Sequence, residues 1–198
     1  MQPFRKERLF FTLSHMEKVK ILDLEFSSFL TKETLESRIA ELAEAIDSDY
    51  QGSTVVFVAV LNGSFIFTSE LVKRCRVDCE VNFIRVKSYE NTTSTGKVTE
   101  IMGLESDLRG KHIIVLEDIV DTGLTLDTLL RKFAEEKPAS IQIASLLMKP
   151  DKLQFPGLPL KYIGFEIPND FVVGYGLDYN GLGRNLPCIY TLIMEKEG

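Results

Sequence analysis

Three carboxylates and a threonine-rich turn lie close together between positions 117 and 125. Glu117 and Asp118 follow an apolar run, and Asp121 directly precedes the segment from Thr122 to Thr125. Threonine and glycine commonly open a helix around a bound phosphate, because the first N–H groups of a helix are unpaired and its dipole is positive at that end. Gly123 also permits close approach of the backbone. The segment therefore predicts a phosphate-binding cup.

The two acids before the cup indicate a sugar. An extended chain rises about 3.3 Å per residue, so Glu117 and Asp118 lie roughly 10 Å or more from the cup, and a sugar ring fits that gap. Adjacent carboxylates suit the two vicinal hydroxyls of a ribose and can also support a Mg²⁺ that carries phosphate oxygens. Asp121 is a candidate general base, because the chain has only two histidines. The alternative is that Asp121 caps the following helix.

Strand-like and helix-like patterns alternate around this segment. Apolar runs predict strands, and apolar residues at helical spacing predict helices, with Thr31 or Thr34 as the cap of the first helix. The predicted strands are 53–61, 78–86, 111–116 and 140–148, and the predicted helices are 31–46, 65–75 and 125–137. This alternation indicates an α/β fold, a mainly parallel sheet flanked by helices. Ligands bind beyond the carboxyl ends of such strands, where Asn62, Glu117 and Lys149 all lie.

The remaining segments have other compositions. The segment from Ser88 to Gly103 is rich in Ser, Thr and Asn, which predicts a long mobile loop. Short strand-like runs are predicted at 162–167, 171–174 and 189–194. No periodic pattern appears before Met16, so Met1 to His15 is expected to be a loosely ordered extension.

Composition restricts the class of protein. A chain of 198 residues that is 44% hydrophobic predicts one domain. The net charge of −6 argues against nucleic acid or an anionic membrane as the main partner, and no apolar stretch is long enough to span a bilayer. The three cysteines have no metal-site spacing and indicate reduced thiols in a cytoplasmic protein. A small-molecule partner is therefore expected.

The acidic segment resembles a known motif. Glu117 to Gly123, preceded by apolar residues and followed by Thr125, resembles the phosphoribosyl-pyrophosphate motif of type I phosphoribosyltransferases. Further matches are LNGSF at 61–65, RVKSY at 85–89, SLLMK at 145–149, GFEIP at 164–168 and FVVGYGLDYN at 171–180. Together, over about residues 24–194, they resemble the hypoxanthine-guanine members of that family. Several linked motifs in order are far more specific than any one of them.

The resemblance implies a reaction and an architecture. The 5-phosphoribosyl group of phosphoribosyl pyrophosphate would pass to N9 of a 6-oxopurine, hypoxanthine or guanine, and Mg²⁺ would be required. The fold would be the type I phosphoribosyltransferase fold, a single domain over residues 1–198. A small hood would form from about residues 16–30 and 166–198. A homo-oligomer, dimer or tetramer, is expected from the family.

The resemblance also assigns roles around the phosphoribosyl group. Asp121 matches the base that takes the purine N7 proton, and it also belongs to the segment that binds the ribose and its phosphate. Glu117 and Asp118 match the ribose-contacting acids. The 5′-phosphate cup matches Thr122, Gly123, Leu124 and Thr125. Leu61, Asn62 and Gly63 match the turn that contacts pyrophosphate, which often contains a cis peptide in this family. Arg184 matches an arginine that binds pyrophosphate. Mg²⁺ would be held by Glu117, Asp118 and Asp178.

The purine and the lid receive the remaining matches. Lys149 matches the donor to the purine 6-oxo group, and Phe171 matches the ring that stacks on the base. The Val172 backbone would accept from the ring edge, and Asp178 would act through a metal-bound water. A lysine donor suits an oxo group and not the amine of adenine. Ser88 and Tyr89 match the mobile segment that forms a lid in this family.

Taken singly, these residues have plainer interpretations. Lys149 alone would be read as a surface lysine, Phe171 as a core residue, and Asp178 with Arg184 as a weak surface pair. Two departures from the family matter as well. Leu124 lies in the phosphate cup where many relatives carry lysine. Asn62 lies in the pyrophosphate turn where some relatives carry lysine.

Other functions on the same fold also stay open. A regulator that senses phosphoribosyl pyrophosphate while binding nucleic acid is disfavoured by the acidic charge and by the presence of both Asp121 and Lys149. An adenine-selective transferase is disfavoured by Lys149. Xanthine differs from guanine only at the 2-position, and the sequence does not separate the two.

Overall fold

The structure is a computed structural model that describes residues 17–90, 97–104 and 106–193. The predicted extension at residues 1–15 lies outside the described residues. The strands are β1 (Lys18–Ile21), β2 (Leu24–Leu30), β3 (Val55–Val60), β4 (Cys79–Glu90), β5 (Lys97–Met102), β6 (His112–Val120), β7 (Ser140–Met148), β8 (Leu160–Glu166), β9 (Val172–Val173) and β10 (Ile189–Leu192). The helices are α1 (Lys32–Asp49), α2 (Phe65–Val72), α3 (Leu124–Glu135) and a short 3₁₀-helix, Pro150–Lys152.

A six-stranded sheet forms the centre of the molecule. Its strand order is β5-β4-β3-β6-β7-β8. Strands β4, β3, β6, β7 and β8 are parallel to one another. The edge strand β5 pairs antiparallel with β4. The predicted parallel sheet flanked by helices is therefore confirmed. All described helices are too short or too polar to cross a membrane.

The central strand explains why the core has two halves. Every residue of β3 is buried, as expected for a parallel strand that is covered on both faces. Alternate residues of β3 therefore point to opposite faces. Val55 and Phe57 join the core that contains the buried residues of α1 and α2, and Val56 and Val58 join the core that contains those of α3.

The first helix begins at the cap that the sequence allowed. Thr31 is the N-cap of α1, and its Oγ1 accepts a hydrogen bond from the N–H of Thr34 at 3.3 Å. Of the two predicted caps, the structure thus selects Thr31. Arg38 then anchors the helix to the sheet edge, since its guanidinium donates to the carbonyl oxygens of Ile163 at 2.9 Å and Gly164 at 3.0 Å on β8.

A second, four-stranded sheet covers one end of the molecule and is called the hood below. Its order is β1-β2-β10-β9, and all its pairs are antiparallel. It has its own small core around Phe26, Val173 and Tyr190. The hood joins the two ends of the described chain and carries β9 next to Phe171.

The structure corrects the predicted loop over Ser88 to Gly103. Strand β4 continues to Glu90, and β5 covers Lys97–Met102, so much of the segment forms an antiparallel pair. The loop prediction is wrong there because backbone pairing orders a stretch whose Ser and Thr content suggests no core. Val98, Thr99 and Ile101 are β-branched, a type that favours strands. Strand β6 also runs beyond the predicted end at Leu116 to Val120, which is paired with Met148.

We predict that Arg38→Met lowers the free energy of unfolding by about 1.5–3 kcal/mol, because it removes charge-assisted hydrogen bonds to two strand carbonyls. Arg131→Met is the matched control. Arg131 is an exposed arginine that pairs only within α3, with Asp127, and its loss should change stability by about 0.5 kcal/mol or less. Urea denaturation of both variants measures the difference, and equal losses would contradict the anchoring role of Arg38.

Candidate active site

The turn after β3 forms one wall of the site. The Leu61–Asn62 peptide is cis, as the resemblance led us to expect of this turn. Ser64 is buried, and its hydroxyl donates to the carbonyl oxygen of Val60 at 2.6 Å. The N–H of Leu61 donates to the Ile84 carbonyl at 2.8 Å. The turn is thus held to both its own strand and the neighbouring one.

Three segments meet at this turn with no space for side chains. A Cβ atom added to Gly63 would lie 1.4 Å from Oδ2 of Asp118, so the carboxylate occupies that space. A Cβ atom added to Gly176 would lie 2.0 Å from the carbonyl oxygen of Gly63, and Gly176 has a φ of +105°. Only glycine fits position 176, and a side chain at position 63 would have to displace the Asp118 carboxylate. The predicted pyrophosphate turn, the acidic segment and the C-terminal loop are therefore in direct contact.

Glu117 and Asp118 lie near the C-terminal end of β6 and are half-buried. Oε2 of Glu117 is buried and has no hydrogen-bond partner among the described residues. Burial raises the pKa of Glu117 well above its usual range, and the charge of Asp118 adds to the effect. Burial raises the pKa of Asp118 to about 6, although the N–H of Ile119, which donates to Oδ1 at 2.9 Å, and the charge of Arg184 both lower it. Such desolvated acceptors suit a ligand that brings hydroxyl or cationic partners.

The helix start after Asp121 has the predicted open geometry. Gly123 is the N-cap of α3 in a left-handed conformation, with φ of +82°, and has no side chain that could cap the helix. Among the side chains, the Thr122 hydroxyl accepts a long hydrogen bond, 3.4 Å, from the N–H of Leu124. Asp121 is therefore not the helix cap, and that alternative is wrong. Helix geometry leaves the first N–H groups of α3 without partners inside the helix. Leu124, at the family lysine position, is exposed.

Asp121 and Lys149 lie side by side at the carboxyl edge. The N–H of Lys149 donates to the Val120 carbonyl at 2.9 Å, which continues the pairing of β6 with β7 past Met148. Only 6% of Lys149 is exposed, so the interpretation as a surface lysine is wrong. Burial lowers the pKa of Lys149, and the nearby charge of Asp121 acts in the opposite direction. One oxygen of Asp121, Oδ1, is buried and unpartnered within the described chain.

Phe171 is a supported and accessible ring. It is 42% exposed, so it is not a core residue. Its ring centroid lies 6.1 Å from that of Phe26 and 5.9 Å from that of Tyr179, the latter edge-on. The next residue, Val172, is buried and paired with Thr191 in the hood. These contacts hold the ring in place while much of it remains exposed.

Asp178 and Arg184 form an ion pair, as the plainer interpretation allowed. Nη2 of Arg184 lies 2.6 Å from Oδ1 of Asp178, and Nη1 donates to the Gly176 carbonyl at 2.6 Å. Oδ2 of Asp178 accepts from the N–H of Gly181. Both side chains are less than one third exposed. The pair therefore stabilises the glycine-rich loop that lies against the turn after β3.

The acidic residues suit a Mg²⁺ that is also held by substrate phosphates, and those that the structure describes do not form a metal site made of protein ligands alone. Within the described parts of the chain, no three acidic, histidine or cysteine side chains form a group that could hold a metal. Glu117, Asp118 and Asp178 are thus not a ready-made set of ligands. Mg²⁺ usually keeps several waters and takes one or two carboxylates plus substrate phosphates, and the unpartnered Oε2 of Glu117 is available for such a contact.

Two residues of the site, Arg85 and Lys152, received no role from the sequence. Nη2 of Arg85 donates to Oδ1 of Asn62 at 2.8 Å, and Nζ of Lys152 lies 3.3 Å from Oδ2 of Asp121. Arg85 lies within the matched RVKSY segment, whereas Lys152 lies just after a matched one. Ser88 and Tyr89 are paired with β5 through the backbone. Their role in a lid stays a prediction.

Comparisons with known proteins agree with this geometry. Residues 26–180 match the phosphoribosyl transferase domain family. Hypoxanthine-guanine phosphoribosyltransferase of Mycobacterium tuberculosis is 40% identical over 173 residues, covering 84% of this chain and 85% of the relative. The protein of the same name from Staphylococcus aureus is 42% identical over 167 residues, covering 84% and 93%.

Solved structures give the same result. A crystal structure of a hypoxanthine-guanine phosphoribosyltransferase from Bacillus anthracis, with HEPES in its active site, has a TM-score of 0.76 and 35% identity, covering 89% of this chain and 99% of that one. A hypoxanthine phosphoribosyltransferase from Staphylococcus aureus has a TM-score of 0.78 and 38% identity, covering 84% and 90%.

The fold and the site thus define a phosphoribosyl transferase domain, and the chain belongs to that family. Within the family it belongs with the hypoxanthine-guanine phosphoribosyltransferases, because relatives of that name share about two fifths of their residues with it over most of their length. The predicted family, fold class and transferase nature are confirmed.

We predict that Asp118→Asn stabilises the ligand-free protein above pH 6. Burial raises the Asp118 pKa from 3.8 to about 6, so the folded chain binds this proton more tightly than the unfolded chain does. The ionised carboxylate therefore destabilises the folded state at high pH, and the penalty vanishes below about pH 4. Asparagine keeps an acceptor for the Ile119 N–H. The gain in unfolding free energy should be about 1–2 kcal/mol at pH 8.

Thermal unfolding between about pH 4.5 and pH 8 measures this gain. It should shrink as the pH falls. Asp107→Asn, which removes an exposed carboxylate outside the site, is the control. A gain that stays constant with pH, or a loss at pH 8, would contradict the desolvation of Asp118.

Proposed function

We propose that the protein is a purine-salvage enzyme that transfers the 5-phosphoribosyl group of phosphoribosyl pyrophosphate to N9 of hypoxanthine or guanine. The products would be IMP or GMP and pyrophosphate, with Mg²⁺ required. One observation carries the proposal: desolvated acids, an open helix start, and a buried lysine beside Asp121 all meet at one edge of the sheet. The names of the relatives support the same reaction.

The phosphoribosyl group fits between the acids and α3. The 2′- and 3′-hydroxyls of the ribose would donate to Glu117 and Asp118, which supplies the partner that Oε2 of Glu117 lacks. The 5′-phosphate would accept from the N–H groups at the start of α3, from Gly123 to Thr125, where the helix dipole favours an anion. No lysine is needed there, since the donors are main-chain groups.

The purine fits between Lys149 and Phe171. Lys149 would donate to the 6-oxo group, Phe171 would stack on the ring face, and the main chain of Val172 would accept from the ring edge. Adenine carries an amine at the 6-position, and an ammonium group has only donors, so the two would repel. Oδ1 of Asp121, buried and unpartnered, would take the proton from N7 as N9 bonds to the sugar.

Charge in the site favours the transition state. The sugar carbon gains positive character as it separates from pyrophosphate, and the carboxylates of Glu117, Asp118 and Asp121 stabilise that charge. Arg184 and the turn at Asn62 and Gly63 lie where the leaving pyrophosphate would be held. Mg²⁺, when bound at the acids, would supply further positive charge to the phosphate oxygens.

The proposal includes the setting of the enzyme. We place it in the cytoplasm, as a homo-oligomer, and we assign Ser88 and Tyr89 to a lid that excludes water during transfer. The three cysteines are free thiols, which suits a reducing compartment. Substrates are small molecules, with no role for nucleic acid or a membrane.

A spectrophotometric assay with four purine bases tests the proposed function. Hypoxanthine and guanine should be turned over in the presence of phosphoribosyl pyrophosphate and Mg²⁺, and adenine should not. Chelation of the metal should abolish turnover and its re-addition should restore it. Activity with adenine alone would contradict the role of Lys149, and preference for xanthine would change the assigned substrate but not the reaction.

We predict that Asp121→Asn lowers kcat for hypoxanthine by about 100-fold or more, because asparagine cannot accept the N7 proton. The KM for phosphoribosyl pyrophosphate should change much less, since main-chain N–H groups at the start of α3 would hold the 5′-phosphate. Steady-state kinetics measures both constants, with Asp107→Asn as the control. A variant that keeps its kcat would exclude Asp121 as the general base.

A further inference from the structure

We propose that Lys152 is a positioning residue for Asp121: its ammonium group holds Oδ2 so that Oδ1 is presented to the purine. The inference rests on the proposed function of Asp121 as the general base. No motif in the sequence assigns a role to Lys152, which follows the matched segment that ends at Lys149.

The two oxygens of Asp121 have different surroundings. Nζ of Lys152 lies 3.3 Å from Oδ2 and makes both a hydrogen bond and an ion pair with it. Oδ1 is buried and has no partner within the part of the chain that the structure describes. A carboxylate fixed through one oxygen has a defined plane, and its other oxygen has a defined direction. Such fixed orientation is a large part of what catalytic geometry requires.

The backbone around Lys152 is docked onto the acidic segment. Lys152 ends the 3₁₀-helix that begins at Pro150, and its N–H donates to the Lys149 carbonyl at 3.2 Å. Two residues later, the N–H of Gln154 donates to the carbonyl oxygen of Thr122 at 3.0 Å. Together with the bond from the N–H of Lys149 to the Val120 carbonyl at 2.9 Å, this bond ties the two backbones together on both sides of the ion pair.

Side-chain packing reinforces this contact. A Cβ atom added to Gly123 would lie 2.7 Å from Cδ1 of Leu158 and 3.2 Å from Cδ1 of Leu153. The segment that follows β7 thus packs directly on the start of α3. The same short segment presents Lys149 toward the purine and Lys152 toward the base that acts on it, so substrate contact and base orientation are set together.

The ion pair between Lys152 and Asp121 is too exposed to serve only the stability of the fold. The side chains of Lys152 and Asp121 are each 41% exposed, and ion pairs this open to solvent contribute little to folding. Two positive groups face Asp121, Lys152 by direct contact and Lys149 through its charge. Lys149 is turned to the purine in the proposed function, which leaves Lys152 to hold the carboxylate.

The test is a double-mutant cycle with Lys152→Met and Asp121→Asn. In the otherwise unchanged enzyme, Lys152→Met should lower kcat for hypoxanthine about 10-fold and leave both KM values within about 3-fold. In the Asp121→Asn enzyme the same substitution should change kcat less than about 2-fold, because the group it positions is gone. Lys152→Arg, which keeps the charge, should recover most of the loss.

Lys161→Met is the matched control. Lys161 is similarly exposed and also pairs with an aspartate, Asp49, at 3.0 Å, but outside the site. It should leave kcat unchanged, and both lysine variants should unfold within about 2 °C of the parent.

Three results would overturn the role of Lys152. They are an unchanged kcat in Lys152→Met, an equal loss in the two backgrounds, or a rise in the KM for phosphoribosyl pyrophosphate alone, which would indicate a phosphate contact instead. The parent enzyme separates this inference from the proposed function. A parent that does not turn over hypoxanthine would overturn both, whereas an active parent with a fully active Lys152→Met variant would overturn only the positioning role.

Discussion

The contact between Asp118 and the backbone of Gly63 is the constraint on which the site depends. The carboxylate fills the space that a side chain at position 63 would need, and Gly176 closes on the carbonyl of the same residue. Three segments from distant parts of the chain therefore converge without intervening side chains. This close approach brings acids, main-chain groups and an arginine within reach of one small ligand.

That convergence has an electrostatic cost. Burial raises the pKa of Glu117 and of Asp118, so both carboxylates are desolvated while the ligand-free site offers them few partners. Functional sites often retain such unfavourable charge at the expense of stability. Here the surrounding sheet compensates, since β3 is buried along its whole length and Arg38 secures α1 to the sheet edge.

Both sheets contribute residues to the candidate site. The parallel sheet supplies the acidic segment, the turn after β3 and Lys149, because the ends of β3, β6 and β7 meet at one edge. The hood and the loop that follows β9 supply Phe171 and the pair of Asp178 and Arg184.

The sequence by itself determined the features that depend on neighbours along the chain. The apolar runs predicted the central strands, the Thr-Gly-Leu-Thr turn predicted an open helix start, and the linked motifs predicted the family. It did not determine that β5 would pair with β4, since that order arises from backbone bonds between strands and not from composition.

Only the tertiary structure decided which side chains meet across long separations. Lys152 reaches Asp121 over 31 positions, and Arg85 reaches Asn62 over 23. Burial of Lys149 and exposure of Phe171 were equally undecided by residue type, because each depends on what the fold places above it. Periodicity records whether a residue faces a core, whereas strand register and loop docking fix its partners.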